Sequence, residues 1–548
     1  MNKKTPVEKT VLQDQIPSDK SVKNQKRKTR DRTPARNTRM DVNRSILFAA
    51  SEVYPFVKTG GLADVACYLP MALHDLGFDI RIVLPAYRCV LDQVKKTRNA
   101  TGFQVPETRD RTKLLQTTLP GSDIIVYLVD APDLYDRPGD PYQGPDRMDW
   151  PDNAGRFAFF GQMIRQISLN KAGLNWAPDV LHCNDWHTGL APALLAQDAG
   201  RPAILFAIHT LSYQGLFPRQ TFTSLDLPSG LWTPEAMEFY GNMSFIKGGL
   251  VYADKLVTVS PRYAKEITTP EFGYGLEGLL QHRSDRLTGI LNGVDYRFWD
   301  PRHDPLIERH YWLDNLGAKK INKKSLQQEL GLRENGKVIL LACIGRLIDQ
   351  KGIDLMLAGL TGLLQNENIQ LAVLGTGNAG YEQSLRTAAG NFAGQMAVRI
   401  EYNESLAHRM IAGADILLMP SRFEPCGLTQ LYSLRYGTVP VVCATGGLAD
   451  TVVDATDTSM QNHTATGFQF VNASRDHLLA AVNRAVTLFT ASKDRWRSLM
   501  RSGMKQDFCW ARSAEQYRIA YMDASDVRTA GNHADFALKK GKNGGKNQ

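Results

Sequence analysis

The sequence contains little cysteine, and the cysteines that it has are scattered. Its 548 residues include seven, and no two of them are spaced as a CxxC pair. An odd count without such pairs argues against a disulfide framework and against a zinc cluster. We therefore expect no bound metal, no other cofactor and a reducing, cytoplasmic location.

Long apolar runs are also absent. No stretch reaches the ~18–20 apolar residues that a helix needs to cross a bilayer. The basic N-terminus is not followed by the apolar segment of a secretory signal. The sequence therefore predicts no membrane partner.

The body of the chain has no excess of one charge. The formal net charge is +9, but residues 1–44 carry +8 and residues 525–548 carry +3, which leaves −2 for residues 45–524. A basic balance that comes from the two ends does not indicate a nucleic-acid groove, so no nucleic-acid partner is expected. Residues 1–44 are expected to form a disordered basic tail, and residues 525–548 a flexible one.

What the sequence does contain is a regular alternation of short apolar runs with helical segments. Runs such as 45–50 and 338–342 are typical of buried parallel strands. Because the alternation begins anew at the second of these runs, it predicts an α/β chain of two doubly wound, Rossmann-like domains. The expected domains are 45–288 and 289–504, with parallel sheets facing across a deep cleft. Residues 505–524 are expected to form a terminal helix that packs back on the N-terminal domain.

A glycine-rich loop, Lys58-Thr-Gly-Gly-Leu-Ala-Asp64, follows the first predicted strand. Adjacent glycines at 60 and 61 would let backbone N–H groups approach an anion at the positive end of the next helix. The alternative is a tight strand-to-helix turn without a ligand. The six residues from Thr59 to Asp64 recur, letter for letter, at 445–450.

Two cations, Arg346 and Lys351, follow the predicted strand at 338–344. Ligands of open α/β sheets bind at the carboxyl ends of strands. A guanidinium and an ammonium aimed at one place suit a diphosphate leaving group, whose charge grows in the transition state. The alternative is a solvated loop with two surface charges.

A third loop, Ser421-Arg-Phe-Glu-Pro-Cys-Gly-Leu-Thr429, precedes helical sequence. Its backbone amides near Cys426 and Gly427 could hold sugar hydroxyls or phosphate oxygens, and Glu424 could balance positive charge at an anomeric carbon. An ordinary helix cap is the alternative. The helix N-terminus would also favour a reactive Cys426 thiolate.

Histidines and a tryptophan cluster in the run from His182 to His187, with His209 downstream. No carboxylate-rich set completes a metal site around them. Polar groups beside Trp186 suit a sugar, because aromatic faces cover its C–H surfaces while polar groups bind its hydroxyls.

A rival motif reads G-x-G-x-x-G at 375–380, with Glu401 about 20 residues beyond it. This pattern matches the dinucleotide fingerprint and makes a NAD-dependent oxidoreductase the first alternative. That alternative leaves the other three loops unexplained. A nucleotide-sugar enzyme would use all of them, with the 375–380 loop lining the nucleotide site.

Assembled, these motifs resemble those of bacterial glycogen synthases and, less closely, plant starch synthases. The resemblance spans roughly residues 45–524. It rests on the loops at 58–62, 185–187, 253–261, 291–295, 346–352 and 421–428. It implies a GT-B fold and metal-independent, retaining transfer of glucose from ADP-glucose to the non-reducing end of an α-1,4-glucan such as glycogen.

The resemblance also implies residue roles. The expected catalytic residues are those that clamp the diphosphate, face the donor glucose or line the sugar cleft, with Glu424 as a charge stabiliser: Glu424, His209, Arg346, Lys351 and Asp185. The expected substrate-binding residues, among which Tyr402 packs on the adenine, are Lys58, Gly60, Gly61, Asp64, Asn292, Gly377, Tyr402, Cys426, Gly427, Leu428 and Thr429.

One position departs from the family pattern, and several alternatives stay open. Thr210 follows His209 where an asparagine is expected, so an amide is replaced by a hydroxyl that reaches less far. UDP-glucose as donor, a catalytically silent glucan-binding protein and a phosphorylase are the remaining alternatives. The oligomeric state is not predicted.

Overall fold

The computed structural model describes residues 44–94, 98–101 and 112–543, all of which belong to one compact unit, Val42–Gln548. The basic tail expected at 1–44 lies outside the described residues up to position 43. Two sheets divide the described chain into what we call the N-lobe, residues 45–289, and the C-lobe, residues 290–509.

The N-lobe is built on a mostly parallel sheet. Its strands are β1 (Ser45–Ala49), β2 (Asp79–Pro85), β3 (Arg98–Thr101), β4 (Lys113–Thr118), β5 (Ile125–Asp130), β6 (Val180–Asn184), β7 (Ala203–Ile208), β8 (Leu216–Pro218), β9 (Glu238–Phe239), β10 (Asn242–Ser244), β11 (Lys255–Thr258) and β12 (Leu287–Gly289). Among the described residues the main sheet has nine strands in the order β12-β11-β7-β6-β1-β2-β5-β4-β3, and β4 runs antiparallel to the strands on either side of it. Strands β8, β10 and β9 form a small antiparallel sheet.

Helices cover both faces of that sheet. They are α1 (Gly61–Asp75), α2 (Arg88–Gln93), α3 (Pro132–Tyr135), α4 (Asn153–Ser168), α5 (Leu190–Leu195), α6 (Arg219–Ser224), α7 (Phe245–Tyr252), α8 (Pro261–Glu266) and α9 (Glu277–His282). Serine side chains cap two of them, since Ser244 accepts from the Lys247 amide and Ser260 from the Tyr263 amide.

The C-lobe repeats the plan with a smaller sheet. Its strands are β13 (Ile339–Ile344), β14 (Ile369–Leu374), β15 (Met396–Arg399), β16 (Ile416–Met419), β17 (Val439–Cys443) and β18 (Phe468–Phe470). They run parallel in the order β15-β14-β13-β16-β17-β18. The helices are α10 (Lys319–Leu330), α11 (Ile353–Leu364), α12 (Ala379–Asn391), α13 (Glu404–Gly413), α14 (Thr429–Arg435), α15 (Gly446–Thr451), α16 (Asp457–Gln461), α17 (Arg475–Ala491) and α18 (Lys493–Met504).

This architecture confirms the predicted pair of doubly wound α/β layers. The central strands are buried on both faces, which is why β1 and β13 read as continuous apolar runs. In the N-lobe, β1 lies between β2 and β6, and in the C-lobe, β13 lies between β14 and β16. The strand order therefore reverses beside β1 and beside β13, and ligands of such sheets bind at these points.

The terminal helix differs from its predicted bounds. We expected a helix at 505–524 followed by a flexible tail, whereas α19 runs from Trp510 to Asn543. Residues 525–543 continue this helix, and the last five positions of the predicted tail lie outside the described residues. No proline interrupts this stretch, and near the start of the added turns the Arg528 guanidinium donates to the Ala199 carbonyl of the N-lobe at 2.8 Å.

The first part of α19 packs on the N-lobe sheet. Tyr517 and Tyr521 are fully buried. The Tyr521 hydroxyl lies 2.8 Å from Nδ1 of His182 on β6. A helix that begins beyond the C-lobe thus completes the hydrophobic core of the other lobe. No helix in the described part of the chain is long and apolar enough to cross a membrane.

Candidate active site

The sequence motifs gather where the two lobes face each other. The 58–64 loop follows β1 and the 185–187 turn follows β6, while the loops at 346–351 and 421–429 follow β13 and β16. A Cβ atom placed on Gly61 would lie 3.8 Å from Cδ1 of Leu428, so the first and last of these loops meet across the cleft. The rings of Tyr274 and Phe423 meet there too, with centroids 6.3 Å apart.

A buried carboxylate organises the glycine loop of the N-lobe. Glu52 accepts hydrogen bonds from the backbone N–H and hydroxyl of Thr59 and from the Gly60 N–H. The Tyr142 hydroxyl also donates to Glu52, at 2.5 Å. Gly60 and Gly61 are themselves exposed, so the loop is held from behind while its front faces the cleft.

Lys58 links the two lobes through charge. Its ammonium lies 2.9 Å from Asp64 Oδ1 and 3.8 Å from Glu404 Oε1 at the start of α13. Burial lowers the pKa of Lys58, but the two carboxylates outweigh it and raise that pKa above its usual value. Lys58 is therefore a cation at the cleft with one carboxylate partner in each lobe.

The two predicted cations of the C-lobe have different partners. Lys351 Nζ lies 2.5 Å from Glu424 Oε2, within its own lobe. Arg346 is exposed, and its Nη1 donates across the cleft to the Tyr213 hydroxyl at 3.1 Å. Its Nη2 lies 3.3 Å from Gln350 Oε1. Both cations therefore stand at the mouth of the site, where an anionic ligand can reach them.

Both the side chain and the backbone of Glu424 are held by hydrogen bonds. The side chain is buried and also accepts from the Ser421 hydroxyl at 3.1 Å. Its backbone carbonyl accepts from the Gly447 amide at 3.0 Å. Helix α14 then begins at Thr429, so Gly427, Leu428 and Thr429 stand at a helix N-terminus that points into the cleft region.

The prediction of a reactive thiolate at Cys426 is wrong. The side chain is buried, and burial raises the pKa of its thiol to about 12. The nearby helix N-terminus does not offset this loss of hydration, because the sulfur points into the protein rather than into the cleft. Cys426 can contribute its backbone to a ligand site, but its thiol is expected to be inert.

Asp185 and His209 form a buried unit after β6 and β7. Asp185 has φ +53°, a left-handed conformation that is uncommon outside glycine, and its Oδ1 accepts from the His209 amide at 2.8 Å. Burial raises the pKa of Asp185 to about 7 and lowers the pKa of His209 to about 4. Near neutral pH the imidazole is therefore uncharged.

The tautomer of His209 follows from its partner. Asn184 donates through Nδ2 to the Ala49 carbonyl, which directs its Oδ1 toward Nε2 of His209 at 2.9 Å. Because that oxygen can only accept, Nε2 carries the proton and Nδ1 remains an acceptor. His209 is thus oriented by a neutral amide instead of a carboxylate.

Asn292, Gly377 and Tyr402 line the surroundings of the site. Asn292 is buried, and its Oδ1 is without a hydrogen-bond partner among the described residues. Tyr402 is 73% exposed next to Glu404, and Gly377 pairs with Leu347 on the neighbouring loop. The rival G-x-G-x-x-G motif therefore lies beside the Arg346 loop.

An aromatic cavity of about 590 Å³ opens in the N-lobe beside Arg346. Its wall combines large aromatic faces with a few polar groups, the composition that suits a carbohydrate. The residues are Asp149, Trp150, Asn153, Trp186, Ser212, Tyr213, Gln214, Gly215, Leu216, Phe217, Phe239 and Tyr274.

Sequence reasoning assigned no role to Glu52, Tyr142 or Glu404. Glu52 could have been noticed, because it follows the end of β1 by three residues. The others come from segments with no local motif, and the fold alone brings them to the cleft. Among the residues with described side chains, no group of three or more His, Cys, Asp or Glu could hold a metal ion.

Comparison with known proteins identifies both lobes. The starch synthase catalytic domain family matches residues 45–282, and the glycosyl transferases group 1 family matches residues 322–497. The chain is 51% identical over 479 residues to the glycogen synthase of Thioalkalivibrio sulfidiphilus, which covers 87% of this chain and 99% of the relative. It is 50% identical to glycogen synthase 2 of Nitrosococcus oceani, covering 87% and 96%.

Two solved structures are similar in fold to this chain. The catalytic domain of starch synthase IV from Arabidopsis thaliana, bound to ADP and acarbose, superposes with a TM-score of 0.80 at 30% identity, covering 88% of this chain and 100% of that one. The sucrose-phosphate synthase of Thermosynechococcus elongatus has a TM-score of 0.55 at 16% identity, covering 87% and 98%, and shares the fold alone.

Proposed function

The chain belongs to the glycogen synthase family, and from that premise we propose that it transfers glucose from ADP-glucose to the non-reducing end of an α-1,4-glucan. The observation that carries the proposal is the convergence of Arg346 and the Lys351–Glu424 pair on the cleft opposite the Gly61 loop. A nucleotide-sugar donor needs such a set, because its diphosphate binds cations and its sugar binds near a carboxylate.

The donor diphosphate would replace Gln350 as a partner of Arg346 and Glu424 as the partner of Lys351. Arg346 and Lys351 would clamp it, and the backbone of Gly61 and of Gly427 to Thr429 would donate to its oxygens from two helix N-termini. Tyr402 and the Gly377 loop would hold the adenine, since both lie on the same edge of the C-lobe sheet, after β15 and β14. Lys58 would add a charge from the N-lobe.

The donor glucose would lie between Glu424 and His209. As the bond from the anomeric carbon to the phosphate oxygen breaks, positive charge develops on the ring and negative charge on the leaving diphosphate. The Glu424 carboxylate opposes the first and the two cations oppose the second. The acceptor hydroxyl attacks the same face of the sugar and passes its proton to the leaving phosphate oxygen, so the configuration is retained.

His209 would position the sugar without acting as a base. With a pKa lowered to about 4 by burial, its imidazole is neutral, and Nδ1 can accept a hydrogen bond from a sugar hydroxyl. Asp185 holds the His209 backbone, and we place Asn292 beside the sugar, since its buried side-chain oxygen has no hydrogen-bond partner among the described residues. The aromatic cavity beside Arg346 would hold the glucan acceptor.

A transfer assay tests the proposal. The protein is incubated with glycogen and radiolabelled ADP-glucose or UDP-glucose, and the labelled polymer is digested with an exo-hydrolase specific for α-1,4 links. We expect label from ADP-glucose that the hydrolase releases. Label from UDP-glucose alone would overturn the donor, and binding of glycogen without any transfer would overturn the activity.

Variants sharpen the assay. Removing one charge contact of this kind commonly costs about 10²–10³ in rate, so Arg346→Ala and Lys351→Ala should each lose turnover to that degree. Lys324→Ala is the matched control, because Lys324 is an exposed lysine of the same lobe paired with Glu334 at 3.6 Å. It should retain wild-type turnover.

A further inference from the structure

Arg346 takes its described side-chain contacts from two elements, one in each lobe. Gln350 lies four residues further along the same loop, whereas Tyr213 belongs to the N-lobe segment between β7 and β8. A long exposed arginine samples many rotamers, and a ligand must stop that sampling when it binds. A partner that already holds the guanidinium at the donor site reduces this cost.

The segment that carries Tyr213 is braced by its own lobe. The carbonyls of Gln214 and Gly215 accept from the Ile246 and Phe245 amides at the start of α7, each at 3.1 Å. Gly215 has φ +59°, and a Cβ there would lie 2.4 Å from the Trp186 ring, so only glycine permits this close approach. The Gln214 side chain also donates to the Tyr274 carbonyl at 3.0 Å.

The Tyr213 side chain stands between two proposed ligands. It is half exposed and lines the aromatic cavity, while its hydroxyl accepts from the Arg346 guanidinium. The rigid segment therefore presents one phenol hydroxyl from the acceptor side of the cleft to the cation on the donor side.

We propose that Tyr213 is a positioning residue that holds the Arg346 guanidinium in place for the donor diphosphate. The proposal rests on the proposed function in taking Arg346 as a diphosphate contact. It assigns no contact between Tyr213 and the reacting atoms. Because the hydroxyl acts only through Arg346, its loss should matter only while Arg346 is present.

A double-mutant cycle tests this dependence. Tyr213→Phe removes only the hydroxyl, and we measure the Kd of ADP by calorimetry and kcat/KM for ADP-glucose in the wild-type and Arg346→Ala backgrounds. A hydrogen bond to a charged group, discounted for exposure, supports a roughly 5- to 20-fold loss in the wild-type background. In the Arg346→Ala background we expect less than a twofold change.

The control is Tyr240→Phe, which changes an 81% exposed tyrosine of the same lobe and should leave both quantities unchanged. Equal effects of Tyr213→Phe in the two backgrounds, no effect in the wild type, or tighter ADP binding would each overturn the proposal. Tighter binding would mean that the hydroxyl competes with the diphosphate for Arg346.

The same experiment separates this inference from the proposed function. Transfer of glucose by the wild type reports on the function alone. If the wild type transferred no glucose, the double-mutant cycle would still be measured through the Kd of a nucleotide. The nucleotide would be ADP or UDP, whichever binds more tightly. A non-additive cycle there would support the Tyr213 role even though the proposed reaction had failed.

Discussion

Two copies of one sequence, Thr-Gly-Gly-Leu-Ala-Asp at 59–64 and at 445–450, lie in opposite lobes and do different things. Both begin a helix after a buried strand, α1 after β1 and α15 after β17. Both are also tied down by a glutamate, Glu52 in the first copy and Glu266 in the second. The difference lies in what faces the glycines.

In the first copy the glycines face the cleft. A Cβ on Gly60 would meet nothing within 4 Å, and one on Gly61 would meet only the Leu428 side chain. In the second copy protein fills that space: a Cβ on Gly446 would lie 2.1 Å from the Glu424 carbonyl oxygen, and one on Gly447 would lie 2.1 Å from that of Cys426. The first loop leaves room for a ligand, and the second supports the loop that carries Glu424.

Among substitutions in the two loops and their partners, the largest effect is expected for Gly447→Ala. The new Cβ would displace the backbone of Cys426, next to Glu424. Since a shift of about 1 Å at a reacting group can cost roughly 10²-fold, we expect kcat/KM for ADP-glucose to fall about 100-fold and the melting temperature to fall. Steady-state kinetics and thermal unfolding measure both.

Gly61→Ala is the matched control for this substitution. With only a side-chain contact at 3.8 Å, the folded state should accept it, and the free energy of unfolding should stay within about 1 kcal/mol of the wild type. If Gly61→Ala unfolded the protein more readily than Gly447→Ala, the distinction between an open and a filled loop would be wrong.

The aspartates that end the two copies provide the next test. Asp64 pairs with Lys58 at the cleft, whereas Asp450 accepts from the Arg262 amide at 2.7 Å. A hydrogen bond to a charged group is worth about 1.5–3 kcal/mol, so Asp64→Asn should lower kcat/KM about tenfold. Asp450→Asn should lower it less than threefold, and a larger loss there would contradict the comparison.

The two glutamates should differ in stability rather than in rate. Two backbone amides donate to Oε2 of Glu52 and two hydroxyls donate to Oε1, so a glutamine at this position would lose the charge from all four hydrogen bonds and would require both hydroxyls to turn and accept from its NH₂ group. Glu52→Gln should therefore cost about 2 kcal/mol of unfolding free energy. At Glu266 an amide oxygen can still accept from Gly446 and from the half-exposed Arg262, and the Thr445 hydroxyl can accept from the NH₂ group, so Glu266→Gln should cost about 1 kcal/mol or less. Urea titrations measure the two costs, and the opposite order would show that the second loop is the more strongly held.

The smallest effect is expected for Gly60→Ala. With open space around the new methyl group, the melting temperature should not change. The KM for ADP-glucose should rise only about two- to threefold, which corresponds to about 0.5 kcal/mol. A loss of folding would reveal a contact that the open loop does not explain.

Much of the fold could be predicted from the sequence because its signals are local. Buried parallel strands read as apolar runs, and the loops at their carboxyl ends read as clusters of glycine and charge. Arg346, Lys351 and Glu424 were therefore placed at one edge of one sheet, and the structure brings Lys351 and Glu424 into contact. The continuation of α19 past residue 524 was not predicted, and one of its contacts, from Arg528 to Ala199, joins residues far apart in the sequence.

Burial was the property that the sequence predicted least well. A helix N-terminus next to Cys426 favoured a thiolate, but the side chain points into the protein and its pKa is raised to about 12. Likewise nothing in the local pattern showed that Asp185 would be buried with its pKa raised to about 7. Residues that are far away in the sequence bury both side chains and remove their water. Local sequence patterns do not reveal which residues these are.

The sequence by itself determined the alternation of strands and helices, the ends of the strands at which the motifs lie, and the kinds of charge found there. The tertiary structure alone decided that one Gly-Gly loop is open while its identical copy is filled, and that Tyr213 meets Arg346 across the cleft. The physical reason is that a backbone conformation depends on neighbours along the chain, whereas free space and a hydrogen-bond partner depend on what another lobe places there.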